Sequence, residues 1–261
     1  MSSSHAGSRP MTSDTGRLIA LTAHGPAENM SIDQALLEST GRSGIPALRF
    51  YRWSQPALSL GYFQRLDDRV LHPDSESLAC VRRATGGGAI VHHHELTYSV
   101  AMPVGKAEAG PRLELYRQIH QAIIDVLADL GVRAVPFRLT GVESPPISDR
   151  KFLCFQRRTD EDLVVSGYKV LGSAQRKTRD AVLQHGSLLL QASRFAPQLP
   201  GVIDLGARPI AAEQVANGLV NRLGTRLGLT WRDDELSEEE QERASKIRSE
   251  RFAAQVWMAR H

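Results

Sequence analysis

Between Pro111 and Gly131 the apolar residues Leu113, Tyr116, Ile119, Ile123, Ile124, Leu127 and Leu130 recur at three- and four-residue intervals. That period predicts an amphipathic helix, and Gly131 is a natural C-terminal stop. Elsewhere the period shortens to two. Leu48, Phe50 and the run Ala57 to Leu60 predict two short strands hinged at Gln55-Pro56. Leu163 to Val165 and Tyr168 to Leu171 flank Ser166-Gly167, a pair suited to a tight hairpin turn. A further strand, Val182 to Leu190, follows the charged turn Thr178 to Asp180. Ser31 with Gln34 reads as a capping box that opens a helix through Ala35, Leu36 and Leu37 and ends near Gly41. Val215, Leu219, Val220 and Leu223 outline another helix, and Ser237 with Glu240 begins a last, highly charged one. Strands before, between and after helices, without regular βαβ alternation, predict an α+β fold.

Residues 1–16 are rich in Ser, Gly and Thr and are expected to form a disordered leader. A folded domain is expected over 17–230, followed by a charged helical extension over 231–261. The 261 residues carry 32 Lys and Arg against 29 Asp and Glu, a surplus of +3 spread along the chain, which argues against a polyanion-wrapping protein. No apolar run reaches the length of a membrane-spanning helix. The two cysteines, Cys80 and Cys154, and the absence of an apolar signal core at the start predict free thiols in the cytoplasm.

Three consecutive glycines, Gly86 to Gly88, follow a short strand. They read either as a tight turn needing positive φ or as a backbone cradle that a ligand carbonyl or phosphate can approach. His92, His93 and His94 have no Cys, Asp or paired His at ligand spacing, so no metal site is expected. Lys169 sits among apolar residues and glycines; alternation places it with Leu171 on one face and Tyr168 with Val170 on the other. Composition favours a snorkelling edge residue, the alternative being a cation held over a site. Cys80 reads as strand interior. Cys154 alone would be inert packing, but it follows a polar loop and precedes the strand pair that bears a lysine, the sort of neighbour that stabilises a thiolate. Arg82, Arg83, Arg176, Lys177 and Arg179 read as a solvated face able to meet an acidic carrier protein.

Taken together, RRATGGGAIVHHHELTYSV (82–100), SGYKVLGSAQRK (166–177) and LQHGSLLL (183–190) resemble the signature segments of the biotin/lipoate protein ligase and octanoyltransferase superfamily, and ALRFYRWSQPALSLGYFQ (47–64) resembles its leading strand pair. The likeness covers most of residues 30–230. It implies a mixed β-sheet flanked by helices, of the class II synthetase and biotin/lipoate ligase kind. Within the family the chain is most similar to the LipM-type octanoyltransferase branch. Glu95-Leu96-Thr97-Tyr98-Ser99 follows the histidines, and Cys154 sits where that branch keeps its acyl-accepting cysteine. Gly88 and His93 depart from the branch, which commonly has Arg and an acidic residue there.

The resemblance implies that octanoyl moves, through a cysteine thioester, from octanoyl acyl carrier protein to a lysine of a lipoyl-carrier domain in lipoate biosynthesis. The carrier would be glycine cleavage H protein or a 2-oxoacid dehydrogenase E2. The catalytic residues would be Cys154 and Lys169. Arg83, Gly86, Gly87, Gly88, His92, Gly172, Ser173, Ala174, His185 and Gly186 would bind substrate. No cofactor, metal, nucleic acid or membrane partner is implied. The rival readings are an ATP-dependent lipoate ligase in which Cys154 merely packs, an amidotransferase shifting octanoyl between carriers, and a non-catalytic binding module.

Overall fold

The computed structural model describes residues 14–104, 112–142 and 151–260; the leader up to residue 13 and most of the loop before Cys154 lie outside them. Strands β1 (Thr15–His24), β2 (Ala47–Trp53), β6 (Glu95–Pro103), β7 (Val135–Pro136), β8 (Leu163–Val165), β9 (Tyr168–Lys177), β10 (Ala181–Leu189) and β11 (Thr230–Asp234) make one eight-stranded sheet, in the order β11-β1-β2-β6-β10-β9-β8-β7. β1 is parallel to both β2 and β11, and every other neighbouring pair is antiparallel, so the sheet is mixed. A second, three-stranded sheet is built of β3 (Ala57–Leu60), β4 (Ala79–Arg82) and β5 (Ile90–His92), in the order β4-β3-β5. The predicted strand pair around Gln55-Pro56 therefore divides between two sheets.

Alternation along the central strands sends residues to two separate cores. In β6, Leu96, Tyr98, Val100 and Met102 join the core shared with α2 (Arg112–Asp129) and α3 (Ala212–Leu227), while Ala101 faces the core under α1 (Pro26–Ser43) and α4 (Glu238–Ile247). β10 does the same, with Val182 and Leu188 on one side and Ala181 and Leu183 on the other. A third cluster, with Leu58, Leu60, Ala89, Val91, Phe152 and Leu153, fills the space beneath the small sheet. The chain leading into Cys154 is thus rooted in a core of its own.

Several expectations are corrected. Thr15 and Gly16 belong to β1, an unpredicted strand. Helix α1 starts at Pro26, and the Ser31 hydroxyl donates to Ala27 O within the helix rather than capping it. It ends beyond Gly41, at Ser43, where Gly44 takes the left-handed conformation (φ 71°) and donates to Thr40 O. α4 has the expected Ser237–Glu240 capping box but is not last, since α5 (Gln255–Met258) follows. Residues 231–260 are integral to the fold. β11 pairs with β1, Arg17 holds Glu240 through both Nη atoms, and Ala244, Ile247, Phe252 and Trp257 share the core beneath α1.

Candidate active site

Cys154 opens a short helical turn, and the preceding chain is stitched to the glycine run. Ala89 N–H donates to Phe152 O at 3.0 Å and Cys154 N–H to Ala89 O at 2.7 Å. Gly87 has φ +97°, and a Cβ built at Gly88 would lie 2.8 Å from Cys154 N and 3.0 Å from Phe152 O. The three glycines are therefore both turn and cradle: the chain bends at Gly87, and the cysteine segment fits against the bare backbone of Gly88. The Sγ of Cys154 comes within 3.9 Å of the position a Cβ would take at Gly87.

Lys169 is not a snorkelling edge residue, and simple alternation misplaces it. The β8–β9 register passes from Leu163↔Leu171 to Val164↔Lys169, so Val170 is one extra residue in a bulge. Val170 and Leu171 both pack into the main core, and Lys169 turns to the opposite face, beneath Gly172. Its side chain is 3% exposed. Nζ pairs with Asp162 Oδ2 at 2.8 Å, stands 3.7 Å from Cys154 Sγ and donates to Cys154 O at 3.4 Å. Burial works against the ammonium, but the charges of Cys154 and Asp162 outweigh it and raise the Lys169 pKa above its ordinary value. Asp162 is held in turn by Thr159 N–H at 2.7 Å.

The sulfur borders a cavity of about 310 Å³ that all the expected site residues line except Gly88 and Lys169. Those two sit behind the wall, backing Cys154. The volume is at the small end of about 300 to 1,000 Å³ for small-molecule sites. Met30, Tyr51, Trp53, Ile90, Thr97, Gln175 and Ser187 complete the lining, unforeseen from sequence.

Polar groups behind the lining are arranged in chains. Arg83, 4% exposed, donates to Ser59 Oγ at 2.6 Å and to Gly86 O and Gly88 O, so it shapes the glycine run instead of facing solvent. Arg82 is likewise buried, donating to Met258 O and Gln64 O. With Ser59 Oγ accepting from Arg83, its hydroxyl donates to His92 Nε2 at 2.7 Å, and Nδ1–H then donates to Glu95 at 2.5 Å. Burial lowers the His92 pKa, keeping the ring neutral where it stacks on Trp53, with centroids 3.7 Å apart. His185 Nδ1–H donates to Asp33 at 3.2 Å, and Nε2 accepts from Thr85 at 2.8 Å. Asp33 also accepts from Arg49, Tyr51 and Ser99. Against the effect of burial, the bond from His185 and the charge of Arg49 hold its carboxyl below the usual carboxylate range.

A third chain anchors β9. His120 Nδ1–H donates to Glu161 O at 2.7 Å, leaving Nε2 to accept from Ser173 Oγ at 2.7 Å, while Tyr98 OH donates to Ser173 and accepts from Gln184. Burial drives the His120 pKa down to about 3. Between pH 6.5 and pH 3 the unfolded chain therefore binds a proton that the folded chain refuses, so stability falls as pH drops through that window. At pH 5 this group alone costs about 2 kcal/mol. Urea unfolding of the wild type should lose that much more between pH 7 and pH 5 than unfolding of His120→Gln. Equal losses would contradict the assignment.

Residues 25–201 match the lipoyl protein ligase A/B catalytic domain, and the chain belongs to that family. Octanoyltransferase LipM of Carboxydothermus hydrogenoformans is 30% identical over 95% of this chain and 99% of its own. Octanoyltransferase LipM of Symbiobacterium thermophilum is 32% identical over 92% of this chain and 96% of its own. Among solved structures, a lipoate-protein ligase A bound with ATP has a TM-score of 0.76 at 23% identity, with 94% of this chain and 99% of that chain covered. A bi-partite lipoate protein ligase from Thermoplasma acidophilum has a TM-score of 0.74 at 21% identity, covering 94% and 96%. These two likenesses are of fold and bear out the α+β expectation. No helix among the described residues is long and apolar enough to cross a membrane.

Proposed function

We propose that this chain is an octanoyltransferase of lipoate biosynthesis that carries the acyl group on Cys154. The donor is octanoyl acyl carrier protein. The acceptor is a lysine of a lipoyl-carrier domain, of the glycine cleavage H protein or 2-oxoacid dehydrogenase E2 kind. The supporting observation is the thiol on the cavity wall with a buried ammonium 3.7 Å behind it. A packing cysteine has no use for that cation, whereas a nucleophilic sulfur has.

In the first step Cys154 Sγ attacks the thioester carbonyl carbon, the bond to the carrier sulfur breaks, and the carrier thiol leaves with a proton. In the second, the neutral acceptor amine attacks the Cys154 thioester, the C–S bond breaks, and the proton the amine gives up as the amide forms passes to solvent or to the departing Cys154 sulfur. Lys169 balances charge on the sulfur whenever it is free. The amides of Gly86 to Gly88 meet no acceptor among the described residues, and Gly87 adjoins the sulfur, so they are the better oxyanion donors. Ser173 N–H is already taken by Tyr116 OH at 3.2 Å. Both thiols stay reduced in the cytoplasm, the expected location.

Thioester to amide is downhill, so transfer needs no nucleotide. Purified chain, octanoyl acyl carrier protein and acceptor domain should yield octanoylated acceptor without ATP. Absolute dependence on ATP and Mg²⁺, with Cys154→Ala still active, would identify a ligase instead. Gly172→Ala offers a finer test, because the new Cβ would lie 2.7 Å from Lys169 Cε and 2.9 Å from Nζ. Moving the ammonium by that contact should slow transfer by about 10²-fold while the fold survives. A normal rate in Gly172→Ala would show that the ammonium's position is immaterial.

A further inference from the structure

Arg82 and Arg83 are withdrawn from the surface that the sequence suggested for a carrier protein, yet a different group of cations stands beside Gly86 and Gln175 of the cavity lining. Trp257 Nε1 donates to Arg82 O at 2.9 Å, and Arg82 Nη2 donates to Met258 O at 2.7 Å. These bonds clamp the C-terminal turn to the end of β4, next to Arg83 and the glycine run. The Arg251 guanidinium lies 3.9 Å from the Trp257 ring centroid, and that of Arg260 lies 4.8 Å from Tyr62 and 5.3 Å from Trp257. Tyr62 meets Phe63 edge-on at 4.8 Å. Phe63, 77% exposed, reaches within 4.0 Å of the position a Cβ would take at Gly86, on the cavity lining.

The cluster gains a third cation from β9. Arg176 follows Gln175 of the cavity wall, and burial, then the charges of Arg176 and Arg260, lower the Arg251 pKa against the opposing effects of Tyr62 and Glu38. Among the described residues none of the three has a carboxylate within ion-pair distance, whereas Arg17, Arg42, Arg52, Arg222, Arg226 and Arg243 are each paired with one. Cations that repel one another and flank an exposed aromatic ring are poorly explained as a solvated face. They suit an anionic partner that covers the ring.

We propose that Arg176, Arg251 and Arg260, with Phe63 at their edge, form the docking surface for the donor: an acidic carrier protein that presents its acyl thioester on a phosphate-bearing arm. The inference rests on the proposed transferase function. Charge complementarity selects the partner's sign, and continuity from Phe63 through Gly86 to the cavity selects a partner that delivers a chain to Cys154. The C-terminal segment then has a role: it carries two of the three cations to this surface.

The test compares two donors, octanoyl acyl carrier protein and uncharged octanoyl pantetheine, using the full chain. Arg176→Glu with Arg260→Glu, both at exposed positions, should raise KM for the carrier donor about tenfold and flatten its salt dependence, leaving kcat near wild type. The same variant should use octanoyl pantetheine within about twofold of wild type, as should Arg251→Gln. An unchanged carrier KM, or equal losses with both donors, would overturn the proposal. Anisotropy of labelled octanoyl carrier protein, read in parallel, separates the two readings. Carrier binding that weakens in the variants while even the wild type transfers nothing would keep the surface and overturn the transferase; transfer by the wild type with variant binding unchanged would do the reverse.

Discussion

Cys154→Ala is expected to abolish octanoyl transfer, with a loss of at least about 10³-fold in kcat, while the protein stays folded. The side chain is only partly buried and makes no disulfide, so removing its sulfur empties little of the core. What it removes is the atom proposed to divide a thioester-to-amide transfer into two steps. Cys154→Ser should fare hardly better, because an alkoxide is far less accessible than a thiolate at neutral pH. Thermal melts within a few degrees of wild type alongside the lost rate would assign the loss to chemistry. Cys80→Ala is the control: Cys80 packs in β4 with its pKa raised by burial, and its removal should leave the rate unchanged.

The second large effect concerns Lys169. Lys169→Met should lower kcat by about 10²-fold or more, through loss of the charge facing the sulfur. It should also destabilise the fold by about 3 to 5 kcal/mol, because the Asp162 carboxylate, 3% exposed, is left without its counter-ion. The two losses are separable. Adding Asp162→Leu to Lys169→Met removes the orphaned charge and should recover most of the stability with none of the activity. Recovery of both would mean that Lys169 serves only to neutralise Asp162. Lys169→Arg should not rescue, since the larger fork must fit where Gly172 already crowds the lysine.

Much of this architecture is legible in the sequence. The stripe from Leu113 to Leu130 gives α2, and Ser166-Gly167 gives the β8–β9 hairpin, whose turn residues have φ 48° and 81°. What escapes has identifiable causes. β1 is overlooked because Leu18 and Ile19 serve opposite cores, so the segment shows no apolar-polar alternation. Pro26, at the first position of α1, is a better start signal than Ser31, which can bond back to its own helix. The face of Lys169 depends on the bulge at Val170, and one inserted residue leaves no mark on a period of two.

The site was legible in part, for a related reason. Glycine runs and a cysteine beside a lysine stand out in a sequence, whereas their partners do not. Asp162 lies within Thr159-Asp160-Glu161-Asp162, which reads as a solvated acidic turn until Lys169 is seen against it. Asp33 looks like an ordinary helix residue, yet it gathers Arg49, Tyr51, Ser99 and His185 behind the cavity. Arg83 looks exposed and is instead the brace of the glycine run. Long-range pairing of single charges is set by tertiary packing alone.

The most direct measurement is the intact mass of the protein mixed with octanoyl acyl carrier protein and no acceptor, followed by addition of the acceptor domain. One octanoyl group should appear on Cys154, be absent from Cys154→Ala, and pass to the acceptor lysine as it leaves the sulfur. An acceptor lysine that becomes octanoylated while Cys154 never carries the group would contradict the account.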